Sequence, residues 1–306
     1  MKKVLVITYY WPPAGGPGVQ RWLKFVKYLR DFDVEPIVYI PENPEYPLLD
    51  DTFKDEIPSD ITIYKHPIFE PYRLASLFSK KKTKRISAGI IQTKNQSFLE
   101  KLMLWIRGNL FIPDARKYWI KPSSRFLTEI LDKEGIDTII TTGPPHSVHL
   151  IGNELKKRKN IKWIADFRDP WTSIGYHKKL KLTTLAKNRH KELERLVLKN
   201  ADKIVVTSHT TMEEFQDITK RPIKVITNGF DNVRPNRVKL DENFTISHIG
   251  SMLTGRNPKN LWKALGELIK ENKNLRGTLS LQFIGVVSDD VMASIKEFGL
   301  DGHTKV

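Results

Sequence analysis

The 306-residue sequence contains no cysteine. Disulfide bonds, thiolate metal sites and a cysteine nucleophile are therefore excluded together. Long apolar runs are also missing, since no stretch approaches the roughly 20 residues of a membrane-spanning helix. The apolar run at residues 4–10 stops at Pro12 and is too short for the core of a signal peptide. We therefore expect a soluble, intracellular protein.

Acidic residues are scarce relative to basic ones. Lysine and arginine number 51 against 35 aspartates and glutamates, which gives a formal net charge of +16. The imbalance is greatest in segment 68–125, where no acidic residue falls between Glu70 and Glu100. The basic residues there include Lys80, Lys81, Lys82, Lys84 and Arg85, and an apolar helical stripe follows at Leu99, Leu102, Met103, Ile106 and Leu110. Such a surface suits an anionic membrane. The segment could instead bind nucleic acid, although no recognition motif accompanies the charge. A third interpretation is that the helix faces the core and the basic residues lie in a solvated loop.

Apolar strands and amphipathic helices alternate along the chain. Residues 4–7 form a continuous apolar run, typical of a strand buried on both faces of a parallel sheet. Further short runs are predicted as strands at 37–40, 61–64, 138–142, 163–165, 204–207 and 224–227. The alternation predicts an α/β fold with a doubly wound parallel sheet. Segment 68–125 interrupts it and is predicted to be an irregular, basic and aromatic-rich insert.

A polar stretch that contains proline divides the chain after Phe230. Residues 231–242 are predicted to be a linker between an N-terminal domain, 1–230, and the start of a second domain, 243–306. Two strands are recognisable in the second domain, at 244–249 and 279–284. A parallel sheet of two strands would leave long apolar edges unpaired. We therefore expect further chain or a partner to complete this domain, and we favour a truncated sequence.

A glycine-rich loop follows the first predicted strand. Gly15, Gly16 and Gly18 lie directly before a helix, where free backbone N–H groups and the helix dipole favour an anion such as phosphate. The dinucleotide and P-loop fingerprints both fail, because Arg21 stands at the third glycine position and no Gly-Lys-Ser/Thr is present. The alternative is that glycine and proline only turn the chain.

Two polar motifs follow later strands. His146 either donates a hydrogen bond to a sugar hydroxyl or phosphate, or simply begins a helix. In the run 166–171, Asp-Phe-Arg-Asp-Pro-Trp, three charged residues follow a buried strand, which is unfavourable unless they pair or face a cleft. We interpret Arg168 as facing an anionic or sugar ligand, held by Asp166 and Asp169. The alternative is an Arg–Asp network that only stabilises the loop and binds no ligand.

The second domain repeats the arrangement of strand, glycine loop and helix. Gly250 and Ser251 follow its first strand, and Arg256 precedes a helix that begins near Pro258. A guanidinium at this position suits a bidentate phosphate contact. A solvated surface arginine is the alternative.

Five motifs in this order resemble retaining glycosyltransferase family 4, of GT-B fold, and particularly its members in bacterial surface-polysaccharide assembly. The runs that carry the resemblance are 10–21, 142–147, 166–171, 225–231 and 250–256, so it covers nearly the whole chain. It implies two Rossmann-like domains, the second incomplete here, joined by a hinge at Asn228 and Gly229. Arg168 departs from the pattern, because many relatives have histidine there. The family's acidic donor-binding segment would lie beyond Val306.

The resemblance also implies the chemistry. A UDP- or GDP-sugar would donate a hexosyl or amino-sugar group, with retention, to a glycan or lipid-linked acceptor, without a metal or other cofactor. The implied catalytic residues are His146, Arg168, Asp169 and Arg256. The implied donor and phosphate contacts are Gly15, Gly16, Gly18, Gly250, Ser251 and Arg256, and the residues that position acceptor or sugar are Arg21, Asp166 and Trp171. We expect a cytoplasmic enzyme, with peripheral attachment to the inner membrane face as an option and no specific nucleic-acid partner.

Two rival classes stay open at this point. One is a GT-B enzyme of different chemistry, such as a nucleotide-sugar epimerase, because a fold does not fix a function. Release of free nucleoside diphosphate only in the presence of acceptor distinguishes a transferase from it. The other is a non-catalytic basic protein that binds membrane or nucleic acid, which steep salt dependence without nucleotide affinity would identify. The short second domain also leaves open whether this chain is active alone.

Overall fold

The computed structural model describes residues 1–71, 98–175, 177–231 and 239–306. The chain divides into two compact units, residues 1–230 and residues 231–306. The predicted linker lies largely outside the described residues, since its positions 232–238 are among those not described. Each unit is built on its own sheet.

Unit 1 is built on seven parallel strands. They are β1 (Lys2–Ile7), β2 (Val34–Pro41), β3 (Thr62–His66), β4 (Thr138–Gly143), β5 (Lys162–Phe167), β6 (Lys203–Val206) and β7 (Ile223–Val225). Their order is β3-β2-β1-β4-β5-β6-β7, and every pairing is parallel. The strand order therefore reverses between β1 and β4, which is where open α/β sheets bind ligands. The predicted α/β class with a doubly wound parallel sheet is confirmed.

Unit 1 also contains amphipathic helices. They are α1 (Pro17–Tyr28), α2 (Phe98–Asn109), α3 (Ile120–Glu134), α4 (Ser147–Arg158), α5 (Thr184–Asn200) and α6 (His209–Gln216). Helix α1 begins with Pro17 directly after Gly16, whose φ of 106° is open to glycine but not to most other residues. Strand β1 is buried on both faces, as its continuous apolar run predicts, with Leu5 and Val6 fully inaccessible.

The expectation of an irregular insert at 68–125 is wrong for its described part. Helix α2 lies within it, which confirms the helical stripe predicted from Leu99 to Leu110, and α3 begins within it; Leu104 and Trp119 are buried there. The Trp119 ring stacks on Tyr39 with centroids 5.1 Å apart. Of the basic and apolar residues singled out there, Lys80, Lys81, Lys82, Lys84, Arg85 and the side chain of Leu99 lie outside the described residues.

Unit 2 has its own sheet and core. Its elements are β8 (Phe244–Ile249), α7 (Lys259–Glu271), α8 (Lys273–Thr278), β9 (Leu279–Ile284), α9 (Asp289–Glu297) and β10 (Thr304–Lys305). The expectation of only two strands is wrong, because β10 adds a short third strand parallel to β9, in the order β10-β9-β8. Trp262, Leu281, Val291 and Ile295 pack in the core of this unit. Neither unit has, in its described residues, a helix long and apolar enough to cross a membrane.

Candidate active site

A cavity of about 300 Å³ opens at the carboxyl edge of the unit 1 sheet. Tyr10 follows β1, His146 follows β4, and Asp169 and Trp171 follow β5, so the chain segments after three adjacent strands meet there. The full lining is Tyr10, Arg107, Pro113, Asp114, Arg116, Pro144, Pro145, His146, Asp169, Trp171, His177, Leu180 and His190. The volume lies at the lower end of the range for small-molecule sites.

His146 is the most informative residue in this cavity. Only 4% of its surface is exposed, and neither Nδ1 nor Nε2 has a hydrogen-bond partner within the described residues. Its ring stacks flat on Trp171, with centroids 4.6 Å apart. Burial, reinforced by the neighbouring His149, lowers the pKa of His146 well below its ordinary value. The ring is therefore neutral at pH 7 and presents one donor and one acceptor that a bound hydroxyl could satisfy.

Helix α5 and the turn before it supply residues that the sequence analysis missed. His177 lines the cavity, its Nε2 is buried without a partner among the described residues, and burial lowers its pKa to about 4. His190 accepts a hydrogen bond from Trp171 Nε1 at 3.2 Å. Glu194 accepts from the backbone N–H of Thr172 at 3.0 Å and from its hydroxyl at 2.6 Å. These contacts hold the loop after β5 in place.

A sequence signal for these residues existed. His190 and Glu194 are spaced i, i+4 on the same face of α5 as the buried Leu193 and Val197. A histidine and a glutamate on an apolar helical face are costly unless they bond to a distant partner. That partner is the segment Trp171–Thr172.

Arg168 lies between the glycine loop and the segment after β4. Its guanidinium donates from Nε to the Gly143 carbonyl at 3.2 Å and from Nη2 to the Pro144 carbonyl. A Cβ added at Gly18 would overlap this guanidinium, so glycine at position 18 permits the close approach. Burial lowers the pKa of Arg168. Asp169, next in sequence, is exposed at the rim of the cavity.

The glycine loop therefore differs from the open anion cradle that we expected. The N–H of Gly15 donates to the Leu48 carbonyl at 3.0 Å, and Pro17 has no N–H. The start of α1 faces a guanidinium at Gly18 instead. The expectation of free backbone N–H groups in this loop is therefore wrong for Gly15, because the loop packs against the chain at Leu48. Gly16 remains at the N-cap of α1, without a side-chain cap.

Arg21 and Asp166 belong to a separate, fully buried network. Their ion pair is 2.9 Å long, and both side chains are 1% exposed. Asp166 also accepts from Trp22 Nε1 and Thr142 Oγ1, each at 2.8 Å. The interpretation that Asp166 holds Arg168 is therefore wrong, because its carboxylate oxygens bond Arg21 and these two neighbours. Neither Arg21 nor Asp166 is accessible to a ligand in this arrangement.

The same network reaches the end of unit 1. Arg21 Nη1 donates to the Thr227 carbonyl at 3.0 Å and to Asn228 Oδ1 at 3.2 Å. Asn228 is thus tied to the glycine-loop helix, whereas a Cβ at the neighbouring Gly229 would meet open space.

In unit 2, a loop follows β8 at the carboxyl edge of the sheet. Gly250 has a φ of 125°, and a Cβ at Gly285 would overlap its carbonyl, so two glycines let the loops after β8 and β9 pack closely. Ser251 and Arg256 are exposed, and Arg256 Nη1 lies 3.4 Å from the Ser251 carbonyl. Asn257 is a structural residue, because its Oδ1 accepts from Trp262 Nε1 at 2.8 Å.

Metal ligands do not cluster in the part of the chain that the structure describes, where no group of three or more His, Asp or Glu side chains is placed to hold an ion. The four histidines near the cavity are His146, His149, His177 and His190. They contact aromatic rings or each other at ring-centroid distances of 4.2 to 6.4 Å.

Residues 90–234 match the family model of Glycosyltransferase Family 4. The range contains His146, Arg168, Asp169 and Trp171, and thus most of the cavity's polar lining. No curated protein sequence matches the chain significantly.

Solved glycosyltransferase structures align with both units of the chain. The lipopolysaccharide outer core galactosyltransferase WaaB aligns with a TM-score of 0.53 at 13% identity, over 100% of this chain and 67% of that one. TarM aligns with a TM-score of 0.56 at 12% identity, over 99% of this chain and 76% of that one. The chain has a glycosyltransferase-like GT-B fold. HepE of Anabaena, solved in complex with UDP and glucose, aligns at 0.50 with 13% identity, over 100% of this chain and 68% of that one. At these sequence identities the comparison shows the GT-B fold alone, so the chemistry has to be argued from the residues of the site.

Proposed function

We propose that this GT-B protein is a glycosyltransferase that moves a sugar from a nucleoside-diphosphate sugar to a glycan or lipid-linked acceptor in cell-surface polysaccharide synthesis. The observation that carries the proposal is the unit 1 cavity, in whose wall His146 is buried with both ring nitrogens unpartnered among the described residues. The match of residues 90–234 to Glycosyltransferase Family 4 supports it. HepE, which shares the fold, binds UDP and glucose in its structure.

The lining of the cavity suits sugar hydroxyls. Neutral His146 and His177 each offer ring nitrogens, and Asp169 offers a carboxylate at the rim. Arg116 is fixed by Glu70 at 2.9 Å and by Tyr9 at 3.2 Å, so its charge is already balanced by a carboxylate. Sugars are recognised by such preset donors and acceptors rather than by net charge. We assign this cavity to the sugar and the acceptor.

The loop of unit 2 suits the diphosphate. Negative charge gathers on the departing diphosphate as the glycosidic bond breaks, and the exposed guanidinium of Arg256 is a bidentate donor for it. Ser251 is exposed beside it, whereas the Gly250 N–H already donates to the Ile284 carbonyl at 2.8 Å. In this proposal the arginine takes the place of a divalent metal. Retention of configuration, a hexosyl or amino-sugar donor, and a cytoplasmic enzyme peripheral to the membrane complete the proposal.

Acceptor-dependent release of nucleoside diphosphate tests the function. The chain is incubated with UDP- or GDP-sugars, with and without lipid-linked and soluble glycan acceptors, and free UDP or GDP is measured. Release only with acceptor supports a transferase. Conversion of the donor sugar without release identifies an epimerase and contradicts the proposal.

The matched pair Arg256→Ala and Arg276→Ala tests the donor side. Both arginines are exposed in unit 2, but only Arg256 lies on the loop after β8. Loss of Arg256 should lower turnover by roughly 10²–10³ if it acts as a single oxyanion donor. Arg276→Ala should leave turnover unchanged. Equal rates for the two variants would remove Arg256 from the mechanism.

A further inference from the structure

The segment 98–118 has two sides with different chemistry. Its inward side contributes Arg107, Asp114 and Arg116 to the cavity. Leu104 anchors α2 from the same side, where it is 2% exposed and clusters with Leu180. The segment is therefore a wall of the candidate sugar site.

The outward side of the same segment is apolar and aromatic. Phe98, Leu102 and Trp105 are spaced i, i+4, i+7 along α2, and their exposed fractions are 82%, 41% and 39%. Leu110 and Tyr118 continue the surface beyond the end of the helix, with exposed fractions of 54% and 48%. Residues at this spacing lie on one face of a helix. Exposed aromatic and aliphatic side chains grouped in this way mark an interaction surface.

Lysines accompany this surface. The Lys117 ammonium lies 5.1 Å from the centroid of the Tyr118 ring and donates to the Leu110 carbonyl at 2.7 Å, so it links these two residues of the patch. Lys101 is exposed on α2. Asp114 is the sole acid among the described side chains of 98–118, and it bonds Ser147 through both carboxylate oxygens, at 2.5 Å and 2.9 Å. Among the described side chains, the charges beside the patch are therefore the ammonium groups of Lys101 and Lys117.

We infer that this patch, made of Phe98, Leu102, Trp105, Leu110 and Tyr118 with Lys101 and Lys117, docks on an anionic lipid surface. Tryptophan and tyrosine favour the interface between headgroups and acyl chains, where lysines keep their ammonium groups in water. Anionic headgroups complement the lysines and the net charge of +16. A second copy of the chain fits less well, because it would bring the same lysines together.

This inference deepens the proposed function by assigning the surface that meets the membrane. Because the docking segment is also a wall of the cavity, a docked protein holds its sugar site next to the lipid surface. That position suits an acceptor whose anchor stays in the membrane. Docking itself needs neither donor nor acceptor, so it can be measured separately from transfer.

Vesicle co-sedimentation of the full chain tests the docking surface. Phosphatidylcholine vesicles are compared with vesicles that also contain phosphatidylglycerol, in the absence of any nucleotide sugar. The double variant Leu102→Glu/Trp105→Glu should weaken binding to the anionic vesicles by roughly tenfold or more, because it places charge in the apolar interface. Leu185→Glu is the matched control, since Leu185 is 83% exposed on α5, and it should bind as the wild type does.

The lysines are tested in the same assay. Lys101→Gln and Lys117→Gln should each weaken binding by about fivefold. Lys187→Gln, an exposed lysine on α5, is the control and should have no effect. Circular dichroism and the thermal midpoint verify that the variants fold. We expect them to fold because the changed side chains are exposed.

Three results would overturn the inference. They are failure of the wild type to bind anionic vesicles, equal binding by the double variant and the Leu185→Glu control, and a concentration-dependent dimer that the double variant abolishes in sedimentation velocity. Transfer to a soluble acceptor should be unchanged in the double variant. If no variant or wild-type protein transfers sugar but vesicle binding follows the expected pattern, the proposed function fails and the docking surface stands.

Discussion

Two buried polar clusters lie at the carboxyl edge of the same sheet, and they differ in how their polar atoms are satisfied. In the Arg21–Asp166 network, both carboxylate oxygens are bonded and the two Nη atoms of the arginine reach three acceptors, so that only Arg21 Nε lacks a partner among the described residues. In the cavity, His146 and His177 keep buried ring nitrogens without partners in the described part of the chain. A network whose opposite charges are paired stabilises the fold, whereas unpartnered ring nitrogens in a cavity wall are available to a ligand. Motifs of similar appearance in the sequence thus have different roles.

The largest expected effect is on stability, from breaking the buried Arg21–Asp166 ion pair. Arg21→Met should lower the free energy of unfolding by about 3–5 kcal/mol, because it leaves the Asp166 carboxylate buried and uncompensated. The double variant Arg21→Met/Asp166→Asn should recover most of that loss, since no buried charge remains. Urea unfolding measures both. Arg189→Met, which removes an exposed ion pair with Glu192, should be close to neutral. Strictly additive losses in the double variant would contradict a coupled buried pair.

Removing the unpartnered nitrogens of His146 should have the opposite effect, with lower activity and higher stability. His146→Phe keeps a ring to stack on Trp171 but removes both orphan nitrogens. We expect turnover to fall roughly 10²-fold if the ring holds or protonates substrate. The free energy of unfolding should rise by about 1 kcal/mol, because two buried polar atoms without partners are lost. A variant that is less stable yet fully active would show that the ring only packs.

Acid should unfold unit 1 through its buried histidines. Burial lowers the pKa of His149 to about 3 and that of His177 to about 4, whereas the unfolded chain takes up these protons near pH 6.5. The stability that these neutral rings contribute is therefore complete above about pH 6.5 and is lost as the pH falls towards 4 and 3. The slope should approach about 1.4 kcal/mol per pH unit for each histidine.

His177→Phe checks this contribution. It should flatten the fall in unfolding free energy between about pH 6.5 and pH 4, while His149 still contributes to the fall at lower pH. Urea unfolding across this range measures it. An unchanged acid slope in the variant would mean that His177 titrates alike in the folded and unfolded chains.

The smallest expected effect concerns the contact between Gly18 at the start of α1 and the guanidinium of Arg168 after β5. Gly18→Ala places a methyl group where the Arg168 guanidinium lies, so the guanidinium must leave the Gly143 and Pro144 carbonyls. Turnover should fall roughly tenfold through misplacement of this group. Gly175→Ala is the control, because a Cβ there meets open space and its φ is not positive. Similar rates for the two variants would show that the position of Arg168 does not affect the reaction.

The strands and helices of the fold were predictable because each depends on the spacing of apolar residues over a few positions of the chain. The apolar runs of β1 and β4 and the helical spacing of α1 predict their own structure, and the motifs around His146 and Arg168 follow strands as expected. The carboxyl edge could therefore be assigned before any contact was known. The apolar spacing also predicted helix α2, but not its packing against Leu180. The third strand of unit 2 could not be predicted, because β10 depends on pairing with β9.

By itself, the sequence determined the alternation of strands and helices, the excess of positive charge and the absence of thiol chemistry. Tertiary structure decided which polar residue meets which. Asp166 bonds Arg21, 145 positions earlier in the chain, rather than its neighbour Arg168, and His190 reaches Trp171 from another element. Periodicity acts over a few residues, whereas the partner of a buried charge depends on which distant segments the sheet order brings together. For that reason the strand ends were predictable, and the division of their residues between structure and site was not.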